Sequence, residues 1–307
     1  MKKIAGNTYY IRGGTNTGIY VYNDKAIIID PGLSGTRPGR IIKKIEESGY
    51  IPEYIINTHE HDDHYGGAGQ IKDKIPTVKN CSSAFAAVYI ENPILFPTYI
   101  SGGKCCREMI EVSKLEESDI TTVDSILKPG YFNPVTGEIN KDKADNTIEI
   151  IELKGHTEGS LGFITPDGVF FAGDVLVGEE MLEKFDFLFT FDVGAQIESL
   201  EKLKNIDYEY MVLGHSKKII TKEESTELIE KNRAAIDKYI NQIMYILKSP
   251  VNSEEILKRI INNNNLKHRY KEYLFFRSAL MSILNYLIDN GKIEYILKDG
   301  ELLYCAI

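Results

Sequence analysis

Five of the six histidines in this chain of 307 residues lie in short motifs whose side chains could bind metal ions. The first motif is the run THEHDDH at residues 58–64. Residues two apart on an extended segment point the same way, so His59 and His61 are expected to face one point. Imidazole and carboxylate are ligands that zinc prefers, and iron and manganese accept them too. Burying so many ionisable groups would be costly without a cation, so the motif predicts a metal site.

Three later motifs each place a glycine next to a ligand-type residue, after an apolar run. They contain His156 in GHTEGS, Asp174 in FAGD and His215 in LGHS. Glycine lets the backbone turn sharply and come close to a bound ion. Each motif is a weak signal alone, because a histidine after a glycine is more often a surface residue. Together with the first motif they predict one site assembled from distant parts of the chain.

Short strands that end where the motifs begin are expected to position these side chains. A helix with isoleucines on one face is predicted over 37–48. Polar groups at the carboxyl ends of strands are typical of sites on α/β sheets, so we predict an α/β fold. The predicted strands cover residues 7–11, 18–22, 25–30, 54–57, 147–153, 160–165, 168–172 and 211–213.

The chain beyond residue 220 has a different pattern. A long amphipathic helix is predicted over 223–248, and Pro250 follows its end. Two further helices and a hairpin turning at Asp299-Gly300 give the outline of a winged helix. We therefore predict a catalytic domain over 1–220, a connecting helix over 221–249 and a small winged-helix-like domain over 250–307. Residues 91–140 are predicted to be an insertion over one edge of the site, with Tyr99 in the substrate pocket.

The four motifs, in this order, resemble the metallo-beta-lactamase superfamily over about residues 7–220. The resemblance implies a four-layer αββα sandwich that holds two divalent metal ions at one edge of its two sheets. Zinc is favoured, and iron and manganese fit the same ligands. Such a pair would lower the pKa of a shared water and provide hydroxide at neutral pH. By position, the resemblance implies His59, His61 and His156 on the first metal, Asp63, His64 and His215 on the second, Asp174 bridging both, Asp63 also orienting the water, and Asp30 supporting the site from behind.

The form of the first motif is most similar to glyoxalase II and its relatives, which are thioester hydrolases. A hydrolase that uses a metal-bridged hydroxide on a small ester or thioester is therefore expected. Antibiotic hydrolysis is not expected, because zinc beta-lactamases carry a cysteine where Asp174 stands. Glu158 replaces the family's proline, which affects the predicted shape of that loop. The winged outline is similar to beta-lactamase-like endoribonucleases, so cleavage of single-stranded RNA is an alternative, and a redox or partner-binding use of the site is another.

Charge and composition favour the small-molecule substrate over nucleic acid. The net charge is −9, whereas a nuclease needs a cationic track. Residues 253–307 carry eight Lys or Arg against seven Asp or Glu, less basic than a DNA-reading winged helix. No apolar run is long enough to cross a membrane, no apolar segment follows the first two lysines, and the four cysteines form no CxxC pair. A cytoplasmic location is therefore expected, and a homodimer is left open.

Overall fold

Isoleucines alternate between the two faces of the central strands in the computed structural model, which describes residues 1–112 and 120–307. Ile27 and Ile29 contribute to the core between two sheets, while Ile28 between them contributes to a core under helices. This period of two is that of a strand buried on both faces. The described residues form two seven-stranded sheets that pack face to face with helices outside, which is the predicted αββα sandwich.

The first sheet is parallel over the strands nearest to the predicted site. β4 pairs with β5, β5 with β6 and β6 with β7 in parallel, and the earlier strands pair antiparallel. Parallel strands end at the same edge, so Asp30 after β4 and His59 after β5 emerge together. In spatial order the strands are β1 (Lys2–Ala5), β2 (Thr8–Ile11), β3 (Thr17–Tyr22), β4 (Lys25–Ile29), β5 (Ile51–Ile56), β6 (Lys79–Ser83) and β7 (Ser125–Leu127).

The second sheet brings the other motifs to the same edge. Its one parallel pair among the described strands is β12 with β13, and Asp174 and His215 follow the ends of these two strands. In spatial order the strands are β14 (Ile220–Thr221), β13 (Tyr210–Val212), β12 (Val169–Phe171), β11 (Leu161–Ile164), β10 (Ile148–Glu152), β8 (Gly130–Asn133) and β9 (Glu138–Asn140).

The predicted insertion over 91–140 is narrower than expected. β7, β8 and β9 fall inside this span, yet they are members of the two sheets. Residues 113–119 of the span lie outside the described residues. The part that departs from the sandwich is a set of short helices that precedes β7. Strands β7, β8 and β9 are only three or four residues long, and Pro and Gly residues separate them. Their alternating hydrophobic pattern is therefore weak in the sequence.

Helices cover the outer face of each sheet. Helix α1 carries a proline in its first turn and buries Ile41, Ile42 and Ile45 against the first sheet. Leu200 of α8 and Leu228 of α9 cover the second sheet. None of the helices in the described ranges is long and apolar enough to span a membrane. The helices are α1 (Arg37–Glu46), α2 (Asp62–Tyr65), α3 (Ala68–Lys74), α4 (Ala84–Glu91), α5 (Leu95–Ser101), α6 (Arg107–Val112), α7 (Glu179–Leu182), α8 (Val193–Lys204), α9 (Lys222–Ile246), α10 (Ser253–Asn263) and α11 (Tyr270–Asp289).

The C-terminal segment has the predicted order of two helices and a hairpin. The Asn252 side chain accepts a 2.9 Å hydrogen bond from the Glu255 N–H and caps α10. After α11, strands β16 (Ile293–Lys298) and β17 (Glu301–Ala306) form a small sheet with β15 (Val251–Asn252). The winged helix itself stays a prediction. The segment shares its core with α9 through Tyr239 and Ile243, and α11 lies against α5 and α8. It is therefore continuous with the sandwich and reaches the side where the histidines lie.

Candidate metal centre

His59, His61 and His156 bring three ring nitrogens together at the shared edge of the sheets, and are called the first trio below. His61 Nδ1 lies 3.1 Å from His59 Nε2 and 3.0 Å from His156 Nε2. His59 and His61 follow β5 of the first sheet, and His156 follows β10 of the second. Burial lowers the pKa of all three imidazoles, so they are neutral at pH 7, the form that binds metal ions.

Asp63, His64 and His215 form a second trio beside the first. His215 Nε2 lies 3.1 Å from Asp63 Oδ2 and 3.3 Å from His64 Nε2. Burial lowers the pKa of His215, but hydrogen bonds to Asp174 and Asp63 outweigh that effect and raise it to about 10. Protons held in this way compete with a cation, so metal binding here is coupled to their release.

Asp174 lies between the two trios. Its Oδ2 is 3.3 Å from His215 Nε2, 3.5 Å from His64 Nε2 and 3.8 Å from His156 Nε2. Burial would raise the pKa of this carboxyl group, but His64 and His215 hold it well below its usual value. A carboxylate placed in this way can contact an ion in either trio.

Four of the five ring nitrogens that point away from the cluster are held by fixed groups, whereas among the described residues His61 Nε2 is buried without a hydrogen-bond partner. His215 Nδ1 lies 2.8 Å from the Gly14 carbonyl, and His156 Nδ1 lies 3.3 Å from the Phe189 carbonyl. His59 Nδ1 lies 3.0 Å from Thr58 Oγ1. Ligand histidines in metal sites are oriented by such partners, which also select the tautomer. None of these partners was predicted from the sequence, although Thr58 lies inside the first motif.

Asp30 lies behind the cluster and contacts two of its residues, and its supporting role stays a prediction. Its carboxylate accepts hydrogen bonds from the N–H and the hydroxyl of Thr58, both at 2.7 Å, and lies 2.9 Å from His64 Nδ1. Asp30 has a φ of 53°, in the left-handed region that is unfavourable for residues other than glycine. These contacts hold it there, and strained residues of this kind cluster at functional sites.

Glu60 is a further buried group that the sequence did not single out. Its Oε2 accepts a 2.8 Å hydrogen bond from Thr157 Oγ1, which joins the His59–His61 segment to the loop of His156. Burial raises the pKa of Glu60 to about 7. In the same loop Glu158, where the family has proline, pairs with Lys154 at 2.6 Å. The loop still brings His156 to the first trio.

Steric constraints explain why the residue before His156 is a glycine. Gly155 has a φ of 129°, and a Cβ there would lie 2.3 Å from the Gln196 Cα. Only glycine lets the backbone pass this close to α8 and turn toward the cluster.

A divalent metal ion fits these residues. The ligand atoms of each trio lie within 4.8 Å of one another, and all are nitrogen or carboxylate oxygen. Among the described residues, Asp174 Oδ1 is buried without a hydrogen-bond partner, a state that is expensive in a protein interior. The donor set suits zinc, iron and manganese alike.

Aromatic rings lie beside His61, and a charged groove opens beside His215. The Phe96 ring lies 4.7 Å from that of His61 between centroids. Tyr99, one helical turn further along α5, contacts Phe191 and lies 3.3 Å from the Ser278 hydroxyl. A place for Tyr99 in the substrate pocket stays a prediction. A groove of about 540 Å³ opens beside His215.

Comparison with known proteins places this arrangement in context. The sequence model of the metallo-beta-lactamase superfamily matches residues 10–215. Hydroxyacylglutathione hydrolase GloC of Haemophilus influenzae is 32% identical over 155 residues, which cover 49% of this chain and 61% of that protein. Hydroxyacylglutathione hydrolase 1 of Vibrio vulnificus is 28% identical over 50% of this chain and 43% of that protein. The chain thus spans about half the length of these curated relatives.

Solved structures resemble the chain over almost its full length. A beta-lactamase domain protein from Burkholderia ambifaria has a TM-score of 0.73 at 15% identity, covering 99% of this chain and 93% of that one. A metallo-beta-lactamase family protein from Thermus thermophilus has a TM-score of 0.68 at 16% identity, covering 98% and 99%. At this identity the matches establish the fold alone, and they confirm the predicted sandwich.

Proposed function

The chain belongs to the metallo-beta-lactamase superfamily, and on this premise we propose that it is a metal-dependent hydrolase of a small ester or thioester. The observation that supports this most strongly is the approach of two ligand trios, each drawn from both sheets, to the single carboxylate of Asp174. In this proposal the first trio would hold one metal ion, the second trio would hold another, and Asp174 would be a ligand available to both. Zinc is the favoured metal, with iron and manganese as alternatives.

When bound, the two cations supply Lewis acidity and activate a water molecule for attack on a carbonyl group. Asp63 is the carboxylate best placed to orient this water, because its side chain is 34% exposed against 11% for Asp174. The Thr15 hydroxyl, 3.3 Å away, and His215 hold the Asp63 carboxylate in place. The water oxygen bonds to the acyl carbon, the C–O or C–S bond breaks, and the alcohol or thiol leaves with a proton.

Two findings favour the thioester over other substrates. Relatives over half of the chain carry the name hydroxyacylglutathione hydrolase, and that name describes a thioester hydrolase. The net charge of −9 also disfavours an RNA substrate. Lys271 of α11 places one positive charge near the centre, 5.5 Å from the Phe275 ring. Because a cation there could contact a phosphate, RNA is included among the substrates of the test.

The test compares a thioester panel with a labelled single-stranded RNA, each with zinc, manganese or iron. His61→Ala and Asp174→Ala are expected to lose metal and hydrolysis together. His268→Ala is the matched control, because His268 is an exposed histidine whose ring lies against the Leu266 carbonyl. Cleavage of RNA without hydrolysis of any ester would overturn the proposal, as would two metal ions per chain in both variants.

A further inference from the structure

Three phenylalanines from separate parts of the chain form one side of the first trio, and are called the aromatic wall below. Phe96 lies on α5, Phe189 precedes α8, and Phe275 lies on α11. Ring centroids of Phe96 and Phe189 lie 4.7 Å and 5.7 Å from that of His61. Phe275 completes the wall, at 6.1 Å from Phe96 and 5.4 Å from Phe189. The C-terminal segment therefore contributes a ring to the surroundings of the candidate centre.

The wall packs against a buried cluster and keeps part of its own surface accessible. Ile100, Met109 and Leu274 behind it are buried, whereas all three phenylalanines are partly buried. Apolar surface left facing a cluster of polar ligands is unfavourable unless something covers it. Ligand pockets typically combine such apolar walls with a few precisely placed polar groups. A group that covers the wall must also lie beside the ligand histidines. A substrate bound in the active site meets this requirement.

The groove beside His215 has a different character. The groove beside His215 is lined by Arg12, Lys184, Lys217 and Lys218, together with acidic side chains such as Glu180, which pairs with Lys217 at 2.7 Å. This surface suits a polar or charged group. A substrate that spans the site is therefore expected to place its apolar part on the wall and its polar part in the groove.

We propose that the aromatic wall is the subsite for an apolar acyl group of the ester or thioester, an inference that rests on the proposed function. Helix α11 then sets substrate specificity through Phe275. Burial of each added methylene against the wall should raise kcat/KM about fourfold. From an acetyl to a hexanoyl group, four methylenes longer, the gain should be roughly 100-fold or more.

The first test uses N-acetylcysteamine thioesters with acetyl, butyryl, hexanoyl and phenylacetyl groups on the zinc-loaded full chain. In the wild type, kcat/KM should rise with acyl length. In Phe275→Ala the hexanoyl-to-acetyl ratio should fall at least tenfold, and Phe275→Leu should retain most of it. Tyr295→Ala removes an aromatic ring that is 59% exposed on β16 of the same segment, and it should leave the ratio unchanged.

A second readout measures binding without turnover. The chain contains no tryptophan, so Phe275→Trp introduces a single fluorescent reporter into the wall. Sodium hexanoate should change its emission at concentrations where sodium acetate does not. This variant and Phe275→Leu keep a large apolar side chain, so they answer the question even where the alanine variant does not fold.

The outcomes separate the two proposals. Hydrolysis with equal length dependence in the wild type, Phe275→Ala and Phe275→Leu, or an emission that responds alike to acetate and hexanoate, overturns the subsite and leaves the proposed function standing. Failure to hydrolyse any thioester overturns the proposed function, and the acyl subsite with it. A ratio that falls in the alanine variant, with selective binding of hexanoate, supports both.

Discussion

Gly214 is the position where one added methyl group should disrupt the candidate centre most directly. A Cβ at this residue would lie 2.2 Å from Asp174 Oδ1 and 2.7 Å from His64 Cε1. The backbone cannot easily move away, because the Gly214 N–H donates to the Gly173 carbonyl at 2.9 Å and its carbonyl accepts from the Asn16 N–H at 2.8 Å. In Gly214→Ala the ligands must therefore shift instead.

The size of that shift follows from the distances. Ordinary contact with a Cβ begins at 3.4 Å, so the Asp174 oxygen falls 1.2 Å short of it and the His64 carbon 0.7 Å short. Metal–ligand distances tolerate only about 0.2 Å. Changes that merely reorient a ligand cost about 10- to 100-fold in metal affinity, so displacing two ligands should cost at least ~100-fold. Overpacking should also lower the free energy of unfolding by about 1–3 kcal/mol.

The assay is metal content per chain, followed by competition with a chromophoric chelator, with circular dichroism to verify the fold. Gly14→Ala is the matched control, since a Cβ there meets nothing within 4 Å and the carbonyl that contacts His215 remains. A folded Gly214→Ala chain that binds two metal ions with wild-type affinity would refute the reasoning.

Three further predictions concern the supports of the centre. Asp30→Asn keeps a residue that tolerates positive φ but removes the charge beside His64, so metal affinity should fall about 10- to 100-fold in the same competition assay. Removal of metal by a chelator should abolish hydrolysis and lower the melting temperature, and zinc should restore both, since a ligand at 100 times its Kd stabilises by about 2.7 kcal/mol. Thr157→Val leaves buried Glu60 without its donor and should cost roughly 1–3 kcal/mol in urea unfolding, whereas Thr157→Ser should cost much less.

The strand ends and the ligand motifs were predictable because their signals are local. An apolar strand followed by a glycine and a histidine can be recognised from a few consecutive residues. His59 and His61 are expected on one face because residues two apart on an extended segment point the same way. The pattern over 223–248 predicted a long helix, and α9 spans Lys222–Ile246. In each case the residues that determine the structure are neighbours in the sequence.

The surroundings of the centre were not predictable because they depend on distant contacts. Nothing near Phe275 indicates that its ring meets Phe96, which lies almost 180 residues earlier in the chain. The insertion predicted over 91–140, with Tyr99 in the substrate pocket, did not include the rotation of α5, which turns Phe96 toward His61 and Tyr99 toward Phe191. The Gly14 carbonyl that orients His215 carries no side-chain signal at all.

The supports of the centre also indicate what happens when metal is absent. Backbone hydrogen bonds already join the two sheets at this edge, from the Leu161 N–H to the Thr58 carbonyl at 2.7 Å and from Asn16 to Gly214. The outer nitrogens of His59, His64, His156 and His215 are held by carbonyls, a hydroxyl and a carboxylate that belong to the same framework. Such a site differs from a zinc finger, in which the metal is needed for folding. We therefore expect the chelated chain to keep its circular dichroism spectrum while it melts at a lower temperature, because these hydrogen bonds do not involve the ions. Loss of the spectrum on chelation would show instead that the metal assembles the edge.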